Sequence, residues 1–255
     1  MEFDRIYAEV DLGRIEENME AMKEHLRPGT KMYGVVKTDA YGHGAVPVAR
    51  TIDRFVCGYA VATVDEGLKL RRHGIEKEIL SLGPVSAGRY QECLENDISL
   101  PVFEYRRAKE LSDAAVAEGK TAKIHIAVDT GMSRIGLFPD EGSVEIVKEI
   151  AELPALRIAG MFTHFARADE ADKTNAGEQY RRFREFCDDV KAAGVAVPVC
   201  HCSNSAGIVE LPDFNMDAVR AGITIYGMYP SDEVKQDIIS LKPAMALKSF
   251  ITYIK

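Results

Sequence analysis

An amine nucleophile needs a lysine partly stripped of water yet free at its tip. Val35-Val36-Lys37-Thr38-Asp39-Ala40-Tyr41-Gly42-His43-Gly44 offers one: it leaves an apolar run at Lys37 and enters a glycine-broken turn. Desolvation by the two valines disfavours the ammonium form, lowers the lysine pKa and frees the amine to condense with an aldehyde. The decamer by itself fits equally an ordinary lysine where a strand meets a loop. Cys200-His201-Cys202 has the residue types of a metal site. In a strand, however, residues 200 and 202 face one side and His201 the other, and no second cysteine pair is present to complete a tetrahedron, so no metal is expected.

Residues that act together must be carried by elements that converge. Short β-branched or apolar runs predict strands over 31–37, 58–62, 78–82, 99–103, 122–128, 157–163, 197–200 and 216–220. Helical periodicity fills the gaps, over 16–26, 45–56, 65–73, 88–95, 106–118, 142–150 and 179–193, with a short helix near Ala206. Strands alternating with helices in this way predict an α/β fold, a (β/α)8 TIM-type barrel. In that fold active sites gather at the C-terminal ends of the strands. Lys37 stands at the end of the first predicted strand, Arg134 follows the fifth, His164 ends the sixth, Asn204 and Ser205 follow the seventh, and Arg220, Gly222 and Ile223 close the eighth. Ile6 to Val10 alternates like a strand ahead of the barrel, and 248–255 reads as another strand after the linker Lys242-Pro243-Ala244. The expected organisation is therefore 1–12 as an N-terminal strand, 13–241 as the barrel, and 242–255 as a linker and strand.

Composition narrows the class further. The chain has 255 residues and a formal net charge of −8, without a basic cluster, which argues against nucleic acid as a partner. Arg71-Arg72 and Arg181-Arg182 read as isolated pairs on solvated helix faces. No apolar run reaches membrane-spanning length, and the acidic start Met1-Glu2-Phe3-Asp4-Arg5 lacks the form of a signal peptide. The 5 scattered cysteines suit reduced thiols in the cytoplasm better than a disulfide framework.

VVKTDAYGHG resembles the lysine motif of the alanine racemase family, fold-type III pyridoxal-phosphate enzymes, and the likeness continues downstream over nearly the whole chain. The resemblance implies pyridoxal 5'-phosphate as cofactor, Schiff-base attachment at Lys37, and Lys37 as the base on one face of the substrate Cα. It implies a phosphate cup from Tyr41, Ser205, Gly222 and Ile223, beside Asn204. A glycine lets phosphate oxygens approach the backbone, and a helix N-terminus attracts anions; Ser205 reads alternatively, or at the same time, as a helix N-cap. Arg220 matches the arginine that faces the pyridine nitrogen, and His164 the histidine that supports it, with a satisfied core histidine as the other reading. Arg134 matches the arginine that engages the cofactor's phenolic oxygen and orients the substrate carboxylate. The chain departs from the family at Ala127, where many members carry a carbamylated lysine that holds this arginine. Either another anion, chloride or a carboxylate, takes that place or Arg134 is held more loosely.

What the resemblance implies is amino-acid racemisation, most readily of alanine for cell-wall precursors, by a cytoplasmic homodimer acting on a small amino acid. Family members add a C-terminal β-domain that donates the second base, a tyrosine, to the partner subunit of a head-to-tail dimer, and the sequence leads us to expect the barrel domain of a longer protein lacking that β-domain. Two other classes stay open: a single-barrel pyridoxal-phosphate carrier without racemase activity, and a cofactor-free barrel in which Lys37 is incidental. A visible-absorption spectrum separates the last from the others.

Overall fold

The computed structural model describes residues 5–255; Met1 to Asp4, part of the stretch read above for a leader, lie outside the described residues. In chain order the strands are β1 (Ile6–Val10), β2 (Lys31–Val35), β3 (Gly58–Val61), β4 (Glu78–Ser81), β5 (Ile98–Val102), β6 (Ala122–Ala127), β7 (Leu156–Phe162), β8 (Cys200–His201), β9 (Ala218–Ala221) and β10 (Met245–Ser249). The helices are α1 (Leu12–His25), α2 (Lys37–Tyr41), α3 (Ala45–Ile52), α4 (Val64–Arg72), α5 (Tyr90–Glu95), α6 (Tyr105–Ala117), α7 (Glu141–Ala151), α8 (Thr174–Ala192) and α9 (Ser205–Glu210).

Strands β2 to β9 close in sequence order into a parallel barrel, β9 pairing back to β2. Strands β3, β5 and β9 are buried along their whole length, as apolar runs must be when one face meets helices and the other the lumen. The main core packs helix residues such as Ile15, Val48, Leu70, Leu111, Val147 and Phe183 against the strands. The expected (β/α)8 barrel is therefore present.

Its boundaries differ where local chemistry overrides the apolar pattern. The first barrel strand stops at Val35 rather than 37, because Lys37 already opens a helical turn. The seventh is only Cys200–His201, since Pro198 has no N–H to give the ladder. The eighth starts at Ala218 because Met216 sits at φ 43°. Helix α1 begins earlier than expected, at Leu12, where Asp11 Oδ1 accepts from Arg14 N (3.2 Å). Helix α8 begins five residues ahead of the expected 179, at Thr174, and the expected 88–95 helix starts as a 3-10 turn at Ala87–Arg89 and is α-helical only from Tyr90. Arg71 is not on a solvated face: its guanidinium donates to the carbonyls of Ile75, Lys77, Asn96 and Asp97 at 2.7–2.9 Å, clamping the loops that lead into β4 and β5.

Outside the barrel, β1 and β10 form an antiparallel ribbon, Ile6 opposite Ser249 and Val10 opposite Met245. The expected strand over 248–255 thus lies earlier, and 250–255 carries no regular structure. Buried Asn18 on α1 fastens the chain ahead of β10, donating to Ile225 O (3.1 Å) and Lys242 O (2.9 Å) and accepting from Lys242 N (2.7 Å). Gly227, at φ 82°, permits this approach, because a Cβ there would collide with the Lys242 carbonyl.

Candidate active site

The turn after β2 is left-handed. Thr38, Asp39, Ala40 and Tyr41 have φ of 51°, 54°, 56° and 52°, a conformation that L-residues adopt at a cost of about 1–2 kcal/mol each. Neighbours hold it. Glu66 of α4 accepts from Thr38 N (2.6 Å) and Ala62 N (2.7 Å), and Asp39 accepts from Ala45 N (2.9 Å) and pairs with Lys69 (2.7 Å). His43 Nδ1 donates to the carbonyls of Ala40 and Tyr41, both at 3.1 Å. Tyr226 donates to Val35 O (2.9 Å) and packs its ring at a tilt against both Tyr41 and His43, at 5.0 and 4.5 Å between centroids. The turn thereby presents Lys37 with its Nζ 5.9 Å from the centroid of the Tyr41 ring. Burial first, and then the Arg134 charge, push the Lys37 amine below the ordinary lysine value, with Glu66 acting in the opposite sense.

Across the barrel mouth, the loops after β8 and β9 form a cup. Ser205 Oγ accepts from Gly222 N (3.0 Å) and Thr224 N (3.4 Å) and lies 3.0 Å from Thr224 Oγ1. A Cβ on Gly222 would stand 3.4 Å from both Ser205 Oγ and Tyr41 Oη, so the bare glycine keeps a space open between those hydroxyls. The helix cap here is Asn204, whose Oδ1 accepts from Gly207 N (3.1 Å); Ser205 is the first helical residue and not the cap.

Arg220 is buried and held on four sides. Its Nη1 donates to His201 Nδ1 (2.8 Å) and His201 O (3.1 Å), and its Nη2 to Thr163 O (2.7 Å), Cys202 O (3.1 Å) and His164 Nδ1 (3.1 Å). Among the described residues its Nε–H has no acceptor. Burial lowers the arginine to about 10, still cationic at neutral pH. His164, lowered to about 3 by burial and by the charges of Arg220, Arg134 and Lys37, stays neutral and keeps its Nδ1 lone pair for Arg220. His201 points its ring to Arg220 while Cys202 Sγ donates to Phe214 O (3.0 Å), so the Cys-His-Cys run serves different neighbours.

Lys37, Tyr41, His164 and Arg220 line one cavity of about 330 Å³. Asn204, Ser205, Gly222 and Ile223 line its other side, and Met132 and Asp169 complete the rim. Arg134 lines an adjoining space of about 230 Å³ together with Lys37, His164 and Arg220. All nine residues singled out from the sequence thus converge on one mouth of the barrel. Arg134 is exposed and has no ion pair among the described residues, while Ala127 is buried on β6. The loop that carries Arg134 is shaped by Asp129, whose Oδ1 accepts from Gly131 N (3.0 Å) and Ser133 N (2.9 Å).

Sequence reading missed Tyr226 and Gln179. Gln179 of α8 joins three segments at the mouth, donating to Thr130 Oγ1 (3.2 Å) and His164 O (3.1 Å) and accepting from Ala166 N (2.8 Å). Its sequence neighbours are those of any amphipathic helix, and only its complete burial betrays the role.

A family model for the N-terminal domain of alanine racemase matches residues 10–230. The alanine racemase of Clostridium novyi is 45% identical over 98% of this chain and 65% of its own length. Those of Methanococcus maripaludis and Clostridium tetani are 41% and 40% identical, again over 98% of this chain, and over 67% and 65% of their own lengths. The chain therefore spans about two thirds of the length of the curated relatives it matches. Among solved structures, alanine racemase from Clostridium difficile 630 in complex with cycloserine superposes with a TM-score of 0.98 at 39% identity, over 100% of this chain and 70% of that one. Alanine racemase from Bacillus anthracis with bound L-Ala-P gives a TM-score of 0.88 at 37% identity, over 97% and 64%.

Proposed function

This chain belongs to the alanine racemase family through that family's N-terminal domain, and on that premise we propose that it is the barrel part of a pyridoxal-phosphate-dependent enzyme that interconverts L- and D-alanine. The observation that carries the reading is the pairing, in one cavity, of a lysine with a lowered pKa and a hydroxyl-lined cup kept open by a glycine. The residues fit the cofactor. Ser205, Tyr41 and the backbone at Gly222 and Ile223 suit a phosphate, Arg220 Nε–H is a spare donor for a ring nitrogen, and Arg134 suits an oxyanion.

Bound there, pyridoxal phosphate would supply an aldehyde for Lys37 and a ring that withdraws electrons from the substrate Cα. Lys37 Nζ takes the Cα proton on one face and returns it. Arg220, fixed in charge, would donate to the ring without surrendering a proton, and so would moderate the electron withdrawal that the cofactor supplies. His164 keeps Arg220 turned to the cavity, and Arg134 orients the substrate carboxylate. With Ala127 in place of a lysine, and no ion pair to Arg134 among the described residues, we propose that this arginine is held more loosely than in family members that carry the lysine. We further propose a cytoplasmic enzyme working as a homodimer and supplying D-alanine to the cell wall. The β1–β10 ribbon supports a β-domain built onto it, since Leu247 and Ile251 on and beside it are 73% and 81% exposed. A single-barrel carrier has no use for such a ribbon.

Incubation with pyridoxal phosphate, borohydride reduction and peptide mapping test the assignment. The adduct is expected on Lys37 and absent from Lys37→Ala. An adduct on another lysine, or none, refutes it.

A further inference from the structure

The barrel lumen contains a polar layer that the proposed chemistry does not use. Tyr33 on β2, Glu78 on β4, His125 on β6 and His201 on β8 come from alternate strands, as the members of one interior layer of such a barrel do. Apolar side chains ordinarily fill these layers. Here Glu78 accepts from Tyr33 Oη at Oε2 (2.7 Å) and from Ser99 Oγ at Oε1 (2.8 Å). His125 Nε2 lies 3.3 Å from Glu78 Oε1, His125 Nδ1 lies 3.1 Å from His201 Nε2, and His201 Nδ1 takes the bond from Arg220 described above.

Hydrogen-bond inventory fixes the direction of this series. A guanidinium only donates, so His201 Nδ1 carries a lone pair and its proton sits on Nε2. That proton can go only to His125 Nδ1, which leaves the His125 proton on Nε2, directed at the Glu78 carboxylate. Each ring has one compatible tautomer, and the series runs from the cation at the active site to an anion deeper in the lumen. Burial and the Arg220 charge hold His201 well below the usual histidine value, in keeping with a neutral ring. Glu78 stays ionised, held below the usual carboxylate value: burial opposes this, and the hydrogen bonds from His125, Tyr33 and Ser99 outweigh it.

Two glycines make room for the layer. A Cβ on Gly160, opposite His125 in the β6–β7 register, would stand 2.6 Å from both His125 Cε1 and Nδ1. A Cβ on Gly58 would stand 2.9 Å from the Tyr33 ring and 2.8 Å from Glu78 O. Glycine weakens a strand, so its presence at both places marks space kept for these side chains.

We propose that Glu78 and His125 are positioning residues for Arg220: through His201 they fix the guanidinium so that its Nε–H remains free for the cavity. The consequence for the cofactor ring rests on the function proposed above, whereas the tautomer series does not. Removing the terminal acceptor leaves the buried His125 Nε2–H without a partner, which drives the ring to turn or to take the Nδ1–H tautomer at the expense of its bond from His201, and His201 then loses its defined partner. Arg220 loses a fixed acceptor in turn. Glutamine at 78 keeps an acceptor for His125 and Ser99 and can donate to Tyr33, so Glu78→Gln preserves the direction, while Glu78→Leu abolishes it.

Histidine 15N spectra of the protein, before and after loading with pyridoxal phosphate, test the proposal. His125 and His201 are expected as Nε2–H tautomers in the wild type and in Glu78→Gln. In Glu78→Leu the His125 signal should shift toward Nδ1–H, and the Arg220 Nε–H should exchange roughly tenfold faster or more. Gly160→Ala, which displaces His125 without removing a polar group, should act as Glu78→Leu does. An Nδ1–H tautomer at either ring of the wild type overturns the proposal, and that measurement needs no variant to fold. Unchanged tautomers and exchange in both disruptive variants overturn it too. Failure of the wild type to take up pyridoxal phosphate while the tautomers stand as stated counts against the cofactor assignment and leaves the series intact.

Discussion

His164 shows how one residue's environment makes both a chemical and a stability statement. It accepts from Arg220 at Nδ1, which requires a neutral ring, and its value near 3 instead of 6.5 secures that at any pH where the enzyme would work. Because the folded value lies below the unfolded one, the unfolded chain binds more protons between pH 6.5 and about 3. Stability is therefore complete above that window and is lost as pH falls through it. Each such histidine contributes a slope of up to about 1.4 kcal/mol per pH unit. His201 acts in the same direction, while Glu78, held below its ordinary 4.5, adds its own loss only at more acid pH. Urea midpoints between about pH 6.5 and pH 5 thus isolate the histidines. His164→Gln is expected to flatten the decline relative to wild type; parallel slopes would mean that His164 is already charged in the folded protein.

At the scale of elements, the left-handed turn of α2 is the costliest piece of backbone near the site, and its restraints are side chains from elsewhere. Asp39 does two things there: it accepts from the first N–H of α3 and tolerates positive φ better than most residues. Asp39→Ala is expected to cost about 1–2 kcal/mol in urea unfolding, and Asp39→Asn about half as much, since asparagine keeps an acceptor and the same tolerance. Equal losses would show that the exposed Lys69 pair, not the cap, carries the effect. Gly42 and Gly44 announce a turn in the sequence, but nothing local says that four non-glycine residues precede Gly42 in left-handed geometry. That geometry is sustained by Glu66 and Tyr226, distant in sequence. The barrel itself was legible because apolar strand runs and amphipathic helices alternate, and because Lys37, Arg220 and Gly222 fall where strands end. The lumen layer was not read from the sequence. His125 stands out between Ile124 and Ile126, yet its partners follow only from closing β4, β6 and β8 around one axis. Arg71 misled for the same reason: its carbonyl acceptors are gathered by the fold and leave no pattern in the helix.

For the whole molecule the decisive feature is that proton-handling groups are unequally distributed around the cavity. Inversion at Cα requires a base on one face and an acid on the other. In the function proposed above, Lys37 meets the first need. His164, at about 3, is too weak a base, Arg220 does not release its proton, and burial raises Tyr41. Asp169 is the remaining candidate, and it sits at the rim. The ribbon of β1 and β10 carries exposed apolar residues, and in the reading proposed above the second group comes from a β-domain of the partner subunit. These 255 residues, expressed by themselves and loaded with pyridoxal phosphate, are therefore expected to racemise alanine roughly 10²–10⁴-fold more slowly than a full-length relative such as that of Clostridium tetani, the factor that a placed acid or base contributes. Exchange of the α-proton for deuterium from solvent needs only Lys37, so it should persist with retention of configuration while inversion is nearly lost. Circular dichroism of an alanine solution reads inversion, and proton NMR in heavy water reads exchange, at equal cofactor occupancy. Comparable inversion rates would place the second base inside the barrel, with Asp169→Asn as the variant that decides whether it is this carboxylate.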